Sequence, residues 1–163
     1  MNGSTELYTL LERLGIRFEY IEHPPAPTIE IARKYWDGYD AKHCKNLFFR
    51  NHKGNRHYLV VLDCDCDMDI HAIEKMLCQG KLSFASEQRM LKYLGVRPGS
   101  VTPFGLINDT DRHVHLFIDK NLQKAARLSF HPCINTASLI ISFADFIRFL
   151  DNAGNSYEWL ELY

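Results

Sequence analysis

Several short segments of this chain bring together side chains that can bind ions or take part in catalysis. The densest runs from residue 63 to residue 74 and has carboxylates at its first, third, fifth, seventh and twelfth positions, the spacing of a calcium-binding loop. Met68 stands at the sixth position, where such a loop needs glycine for its sharp turn, and the segment follows a predicted strand rather than a helix. We therefore interpret it as a solvated acidic turn in which Asp67 or Asp69 caps the next helix.

The cysteines suggest two weaker alternatives. Cys64, Cys66 and His71 have groups that bind zinc, but a fourth ligand is missing and structural zinc takes four. Cys133 lies two residues from His131, which would place both side chains on one face of a strand, yet the proline between them disturbs that geometry. We expect neither a thiol nucleophile nor a bound metal or cofactor.

Two other segments have groups suited to holding a ligand. Lys45 and Asn46 open an apolar strand, where they can present an ammonium group and an amide. In the loop of residues 99–103, Gly99 permits close approach of the backbone, and backbone N–H groups can bind an oxyanion or a phosphate. Taken alone, each has an ordinary interpretation as well: a solvated lysine at a strand end, and a plain connection.

Capping residues, turns and hydrophobic spacing indicate which elements position these groups. Helices are predicted from N-terminal capping residues, which are Ser4, Thr28, Asp67 or Asp69, Ser86 and Ser142. Strands are predicted over residues 17–22, 45–50, 58–62, 104–107, 113–118, 128–130, 138–141 and 157–162. Turns at 52–55 and 108–111 would close two hairpins. Because hairpins outnumber helical crossovers, we expect an α+β fold with a mixed, largely antiparallel sheet.

The composition narrows the class of protein. The 163 residues fit one domain, and hydrophobic and charged fractions of 46% and 24% are those of an ordinary globular protein. A net charge of −1 argues against a large duplex footprint such as DNA binding, although it leaves recognition of one RNA end open. No run reaches the roughly 18 apolar residues of a membrane span, and no signal peptide is visible, so we expect a cytoplasmic protein.

Four motifs, in register along the chain, resemble one known family. Residues 45–50 (KNLFFR), then Lys53-Gly54 and residues 57–62 (HYLVVL), resemble the hairpin of the editing domains associated with bacterial prolyl-tRNA synthetases. Residues 99–103 match that family's GxxxP loop. Residues 104–109 (FGLIND), and residues 130–132 (FHP) with 135–139 (NTASL), resemble its later strands. The resemblance extends from about residue 7 to residue 150.

The resemblance implies a partly closed sheet surrounded by helices and a freestanding deacylase that acts in trans on mischarged tRNA(Pro). Within that family the chain is most similar to the freestanding alanyl-tRNA(Pro) deacylases. The resemblance further implies that Lys45 is the principal functional residue and that Asn46, Gly99 and His131 line the substrate site. We expect Lys45 to anchor the terminal nucleotide, and the N–H groups of the Gly99 loop to face the oxyanion of the ester.

The amino-acid pocket is expected to discriminate by size. Ile29 is the best candidate for its wall, with Ile21 behind it, and the loop residues Ser100, Val101 and Pro103 are expected to contact the substrate. A small apolar pocket of this kind admits a methyl group and excludes the prolyl ring.

Alternatives remain open at this point. The substrate could carry cysteine or another small amino acid, since relatives in the family remove these. The chain could instead be a non-catalytic module that binds tRNA or an aminoacyl ligand, or an interaction domain with Trp36, Tyr39 and Trp159 as exposed contacts. The expected partner is the 3′ end of an aminoacyl-tRNA, delivered by prolyl-tRNA synthetase or by an elongation factor, with no role for membranes or DNA.

Overall fold

The computed structural model describes residues 1–25 and 29–163, apart from the side chains of Ile29 and Ala32. The helices are α1 (Thr5–Arg13), α2 (Ile29–Trp36), α3 (Ile70–Leu77), α4 (Glu87–Leu94) and α5 (Phe143–Ala153), with 3-10 segments at Pro103–Asn108 and Lys120–Lys124. The strands are β1 (Glu19–Glu22), β2 (Lys42–Arg50), β3 (His57–Asp63), β4 (Ser83–Phe84), β5 (His115–Asp119), β6 (Arg127–Phe130), β7 (Ala137–Ser142) and β8 (Tyr157–Leu160). None of the described helices has the length and apolar character that crossing a membrane requires.

The strands form one mixed sheet in the order β1-β7-β6-β2-β3-β5-β8, with β4 added beside β2. Four pairs are antiparallel, namely β1–β7, β6–β7, β2–β3 and β2–β4, and three are parallel, namely β2–β6, β3–β5 and β5–β8. This confirms the predicted α+β fold with a mixed, largely antiparallel sheet. The expected partial closure is not found, because in the described part of the chain β1 and β8 stand at opposite ends of the strand order and the sheet is open.

Strand β2 joins the two halves of this sheet. Its first residues, Lys42 and His43, pair in parallel with β6, and from Cys44 to Arg50 it pairs antiparallel with β3. Successive side chains of a strand point to opposite faces, so β2 contributes to two separate cores. Phe48 packs in the larger core with α1, α4 and α5, whereas Phe49 packs in a smaller one with α3.

The predicted helix starts are confirmed where the structure describes them. The capping oxygens of Ser4, Asp69, Ser86 and Ser142 each accept a backbone N–H of the first helical turn, at 3.0–3.3 Å. Of the two predicted caps of α3, Asp69 is the one used. Thr28, predicted as the cap of α2, lies outside the described residues.

The second predicted hairpin is wrong. Residues 104–107 belong to the 3-10 segment Pro103–Asn108, and β5 runs parallel to β3 and β8 instead of turning back on a neighbour. Pro103 cannot donate to a strand ladder and favours the first position of a helical turn. The hydroxyl of Thr102 caps that turn by accepting the N–H of Phe104 at 3.3 Å.

The aromatic residues considered as exposed contacts are mostly packed. Trp36 is buried and stacks on His43, with ring centroids 4.3 Å apart, and Trp159 packs against Phe143. Of these three aromatics only Tyr39 is exposed, which gives little support to an aromatic interaction surface.

Candidate functional site

Asn46 connects strand β2 to the loop of residues 99–103. It faces the larger core with Phe48, and its Nδ2 donates to the carbonyl oxygen of Val101 at 3.2 Å. Its Oδ1 is buried and has no hydrogen-bond partner among the described residues. Because a buried acceptor is costly to leave unpaired, this oxygen is ready to accept from a ligand.

Lys45 points to the opposite face of β2, the face of Leu47 and Phe49. Its Nζ lies 2.8 Å from Oδ1 of Asp67, and this hydrogen bond and the charge of Lys45 lower the pKa of the Asp67 carboxyl. The Lys45 side chain is 23% exposed, whereas that of Asp67 is fully exposed. An ion pair so open to water stabilises little, so the ammonium group can exchange this carboxylate for another anion.

The Gly99 loop lies between Asn46 and the connection from β6 to β7. Gly99 has a positive φ of 87°, and a Cβ added there would lie 3.6 Å from Nδ2 of Asn135 in that connection. The N–H of buried Ser100 donates to the carbonyl of Arg97 at 3.0 Å, so it is not available to a substrate. The N–H groups of Gly99, Val101 and Thr102 have no partner in the described part of the chain. Since Thr102 is buried and the other two residues are not, Gly99 and Val101 supply the donors that a substrate can reach.

Pro103 has a structural role and is not exposed. It is buried at the start of the 3-10 segment, behind the loop that carries the free donors. A direct contact of Pro103 with substrate therefore stays a prediction.

His131, just after β6, is held in one tautomer. Its Nδ1 lies 2.8 Å from the carbonyl oxygen of Ala137, which can only accept, so Nδ1 carries the proton and Nε2 keeps its lone pair. Burial is the main cause that lowers the pKa of His131, and nearby His23 lowers it further. His131 is therefore a neutral acceptor near pH 7.

Sequence reasoning missed a buried group next to His131. The His23 and His131 rings lie 5.9 Å apart, and His23 donates from Nδ1 to the carbonyl of Pro24 at 2.9 Å. Its Nε2 therefore accepts from the hydroxyl of Ser138, at 3.0 Å, and that oxygen also accepts Nε1–H of Trp36 at 3.4 Å. We call His23, Ser138 and Trp36 the latch, because they tie β1, β7 and α2 together.

The latch also positions one of the two predicted pocket residues. Ile21 is 6% exposed and lies directly opposite Ser138 in the β1–β7 register. The side chain of Ile29, the other predicted wall, lies outside the described residues, so its role stays a prediction.

The acidic segment is divided among several partners. Asp63 pairs with Lys42 at 3.1 Å, Asp65 pairs with Arg33, and Asp69 caps α3. Asp63, Cys64 and Asp65 are the one metal-competent group of three found among the described residues, and Cys66 and His71 are not part of it. Since both of its carboxylates already face cations, the segment serves as a salt-bridged turn.

The thiols near the site are poor nucleophiles. Burial raises the pKa of Cys133 to about 12 and that of Cys44 well above its usual range. Only a thiolate attacks efficiently, so neither residue is suited to covalent catalysis at neutral pH.

Each of these groups can assist the hydrolysis of an ester by bound water, and the structure joins Asn46 to the Gly99 loop but places Lys45 on the opposite face of β2. They comprise an exchangeable ammonium group (Lys45), free amide donors (Gly99 and Val101), an open amide oxygen (Asn46) and a neutral imidazole (His131). Donors of this kind stabilise a developing oxyanion, and a neutral imidazole can orient or deprotonate water.

Comparisons with known proteins agree with this chemistry. Residues 23–149 match the family described as the aminoacyl-tRNA editing domain. The chain is 37% identical over 162 residues to the prolyl-tRNA editing protein ProX of Acetoanaerobium sticklandii, and the match covers 99% of both chains. It is 33% identical over 161 residues to the prolyl-tRNA synthetase associated domain-containing protein 1 of Bos taurus, covering 94% of both.

A solved structure supports the fold. The crystal structure of a candidate trans-editing enzyme for prolyl tRNA synthetase superposes with a TM-score of 0.68 and 18% identity, and the match covers 98% of both chains. At this identity the similarity establishes a common architecture.

Proposed function

The chain belongs to the aminoacyl-tRNA editing domain family, and from that premise we propose that it is a trans-acting deacylase of mischarged tRNA(Pro), with alanine as the amino acid removed. The observation that carries the proposal is the hydrogen bond from Asn46 to the Val101 carbonyl. This bond supports the proposal because it joins strand β2 to the loop that bears the free N–H donors, with Asn46 on the loop side and Lys45 on the opposite face of the strand.

In the proposed mechanism the chain mainly positions groups around an ester that is already reactive. Lys45 leaves Asp67 and binds a phosphate oxygen of the terminal nucleotide or the carbonyl oxygen of the ester attached to it. The N–H groups of Gly99 and Val101 face the carbonyl oxygen on which negative charge develops. Nε2 of His131 accepts a hydrogen bond from the attacking water or from a ribose hydroxyl, so that attack occurs in line.

Selection of the amino acid is proposed to depend on size. Ile21, held by the latch, and Ile29 would line an apolar pocket that fits a methyl group. Excluding the larger prolyl ring is a steric matter, whereas rejecting a smaller side chain is limited to about 1–3 kcal/mol per methylene. Cysteine and serine esters are therefore the substrates from which alanine must be distinguished experimentally.

The proposed partner is the 3′ end of an aminoacyl-tRNA. The names of several relatives link them to prolyl-tRNA synthetase, and delivery of the substrate by that synthetase or by an elongation factor is part of the proposal. Since such tRNAs are made and used in the cytoplasm, the protein would act there.

The test is release of amino acid from alanyl-, cysteinyl- and seryl-tRNA(Pro), with prolyl-tRNA(Pro) as the protected substrate. We expect alanine to be released fastest. Lys45→Ala should lower kcat/KM by about 100-fold or more, as expected when a group that stabilises the transition state is removed. The matched control is Lys42→Ala, which removes another ion-paired lysine of the same strand and should leave kcat/KM nearly unchanged.

Two results would contradict the proposal. Near-normal turnover by Lys45→Ala would remove Lys45 from the mechanism. Tight binding of these tRNAs without release of any amino acid would instead indicate a non-catalytic binding module.

A further inference from the structure

Unpaired cationic side chains gather at the end of the sheet where the β2–β3 hairpin turns. We name this surface the basic end and define it by the residues Arg50, Lys53, Arg56, Arg89 and Arg112. We propose that the basic end binds backbone phosphates of the acceptor arm of the substrate tRNA. The identity of that RNA rests on the proposed function.

Two adjoining cavities form the surface. The larger, about 480 Å³, is lined by Arg56, Arg112 and His113, and the smaller, about 420 Å³, by Lys53 and again by Arg56. Gln79 also lines both cavities. The two cavities therefore lie side by side, with Arg56 and Gln79 common to both linings.

Arg89 is fixed at the base of the hairpin turn. Its Nη1 donates to the carbonyl of Gly54 and to Nε2 of His57, both at 2.8 Å. A Cβ added to Gly54 would lie 2.8 Å from Nη2 of Arg89 and 3.3 Å from Nη1 of Arg50, so both guanidinium groups flank the turn closely. A positioned guanidinium loses less freedom on binding, and its planar donors match a phosphate.

A pair of histidines extends the arrangement of donors. His57 is 1% exposed, and because its Nε2 accepts from Arg89, its Nδ1 donates to Nε2 of His113 at 2.8 Å. His113 must then carry its own proton on Nδ1, which makes it a donor at the wall of the larger cavity. Burial lowers the pKa of His57 to about 4, so near pH 7 its ring is neutral and accepts from Arg89 without repelling the guanidinium group.

The basic end lacks the ion pairs found elsewhere. Among the described residues none of its five cations lies within 4.0 Å of a carboxylate, whereas other cations do, namely Arg33, Lys42, Lys45, Arg127 and Arg148. Asp111 and Glu158 line the larger cavity, and Glu158 already accepts from His115 at 2.7 Å. Counted over the lining of both cavities, three cations (Lys53, Arg56 and Arg112) face these two carboxylates, and Arg50 and Arg89 add their charges at the turn beside them. A cluster of like charges is best neutralised by an anionic partner.

The distance to the proposed editing site suits an RNA strand. Lys45 pairs with Leu62, and Arg50 pairs with His57, five residues away along β3. At about 3.4 Å per residue this separation is about 17 Å. The phosphates of one strand of duplex DNA are spaced by about 3.4 Å of axis, so at a comparable spacing several nucleotides of RNA cover the same distance. An RNA whose 3′ end reaches Lys45 can therefore lay its backbone on the basic end.

The experiment uses Arg56→Gln and Arg112→Gln, measured with full-length alanyl-tRNA(Pro) and with an alanylated CCA trinucleotide. For the tRNA, each variant should raise KM roughly three- to tenfold with kcat unchanged. It should also reduce the slope of log(kcat/KM) against log[salt] by about 0.7–0.9. The trinucleotide should be hydrolysed as by the wild type. Arg17→Gln is the matched control, because Arg17 is exposed and has no ion pair in the described part of the chain, beside β1 at the far edge of the sheet.

Unchanged KM and salt slope in both variants would overturn the proposal, as would equal losses on the trinucleotide. If the wild type hydrolyses none of the esters, the same salt slopes are measured for binding of uncharged tRNA(Pro). A smaller slope for the variants then supports the basic end although the proposed function has failed. An unchanged slope overturns the basic end as well.

Discussion

The side chains of the proposed site differ in how far the sequence identifies them. Lys45, Asn46 and Gly99 stand in motifs that can be recognised along the chain, and the structure places Asn46 against the Gly99 loop. The latch was not predicted, because His23 and Ser138 are 115 residues apart and each is an unremarkable residue in its own segment. Only the β1–β7 register brings them together, and that pairing has no local signal.

We expect His131 to make the rate of deacylation depend on pH. If its neutral imidazole takes part, kcat/KM should be constant at neutral pH and should fall as acid protonates Nε2. Because burial lowers the pKa of His131, the fall should be centred below pH 6.5, the ordinary value for histidine. The measurement is the pH profile of deacylation of alanyl-tRNA(Pro), compared with His131→Asn, whose lower activity should lack this transition. An identical acid transition in the variant would assign it to another group.

Helices and strands that have a local sequence signal, such as a cap or a turn, were predicted, whereas those without such a signal were not. Serine and aspartate caps mark four helix starts, and the β2–β3 hairpin follows from its turn. The three parallel strand pairings could not be predicted from the sequence, because the strands that form them are distant along the chain. The two-residue strand β4 was too short for any periodicity. An apolar run at residues 104–107 suggested a strand, whereas Thr102 and Pro103 begin a helical turn.

We expect the hydroxyl of Ser138 in the latch to contribute to the stability of the fold. Ser138 is 1% exposed, and Ser138→Ala would leave Nε2 of His23 and Nε1 of Trp36 buried without their shared partner. We expect a loss of about 1–3 kcal/mol in the free energy of unfolding, measured by urea denaturation. Because Ile21 lies opposite Ser138, discrimination between alanyl- and prolyl-tRNA(Pro) should also weaken.

A matched substitution exists on the neighbouring strand. Ser129 of β6 is 3% exposed, and its hydroxyl has no hydrogen-bond partner among the residues described. Ser129→Ala should therefore change the free energy of unfolding much less. Equal losses for the two variants would mean that the latch adds nothing beyond ordinary packing.

For the whole molecule, histidines whose pKa is lowered by folding, among them the half-buried His43 and the buried His57, couple stability to pH. Burial lowers the pKa of both His43 and His57 to about 4, against an ordinary value of 6.5 in the unfolded chain. Between these values the unfolded state binds more protons than the folded state, so protons favour unfolding. The stabilising effect of the neutral form is complete above pH 6.5 and is lost as pH falls towards 4.

We therefore expect the urea midpoint to decrease steadily from pH 6.5 to pH 4. His43→Phe should preserve the stacking on Trp36 and remove one titrating group, which makes the decrease shallower. A midpoint that does not change over this range in the wild type would show that these histidines are already protonated in the folded protein.

The position of β2 has a consequence for how activity is lost. This strand pairs with β3 from Cys44 to Arg50, and on its other edge with β6 at Lys42 and His43 and with β4 at Phe49 and Arg50, so both of its ends are held on two sides. Because Lys45 and Asn46 lie between these two ends and pair with β3, we expect them to leave their places together with the rest of the strand. Heat or denaturant should therefore produce a mixture of fully active and fully unfolded molecules. We expect no partly unfolded form that still binds mischarged tRNA but fails to hydrolyse its ester.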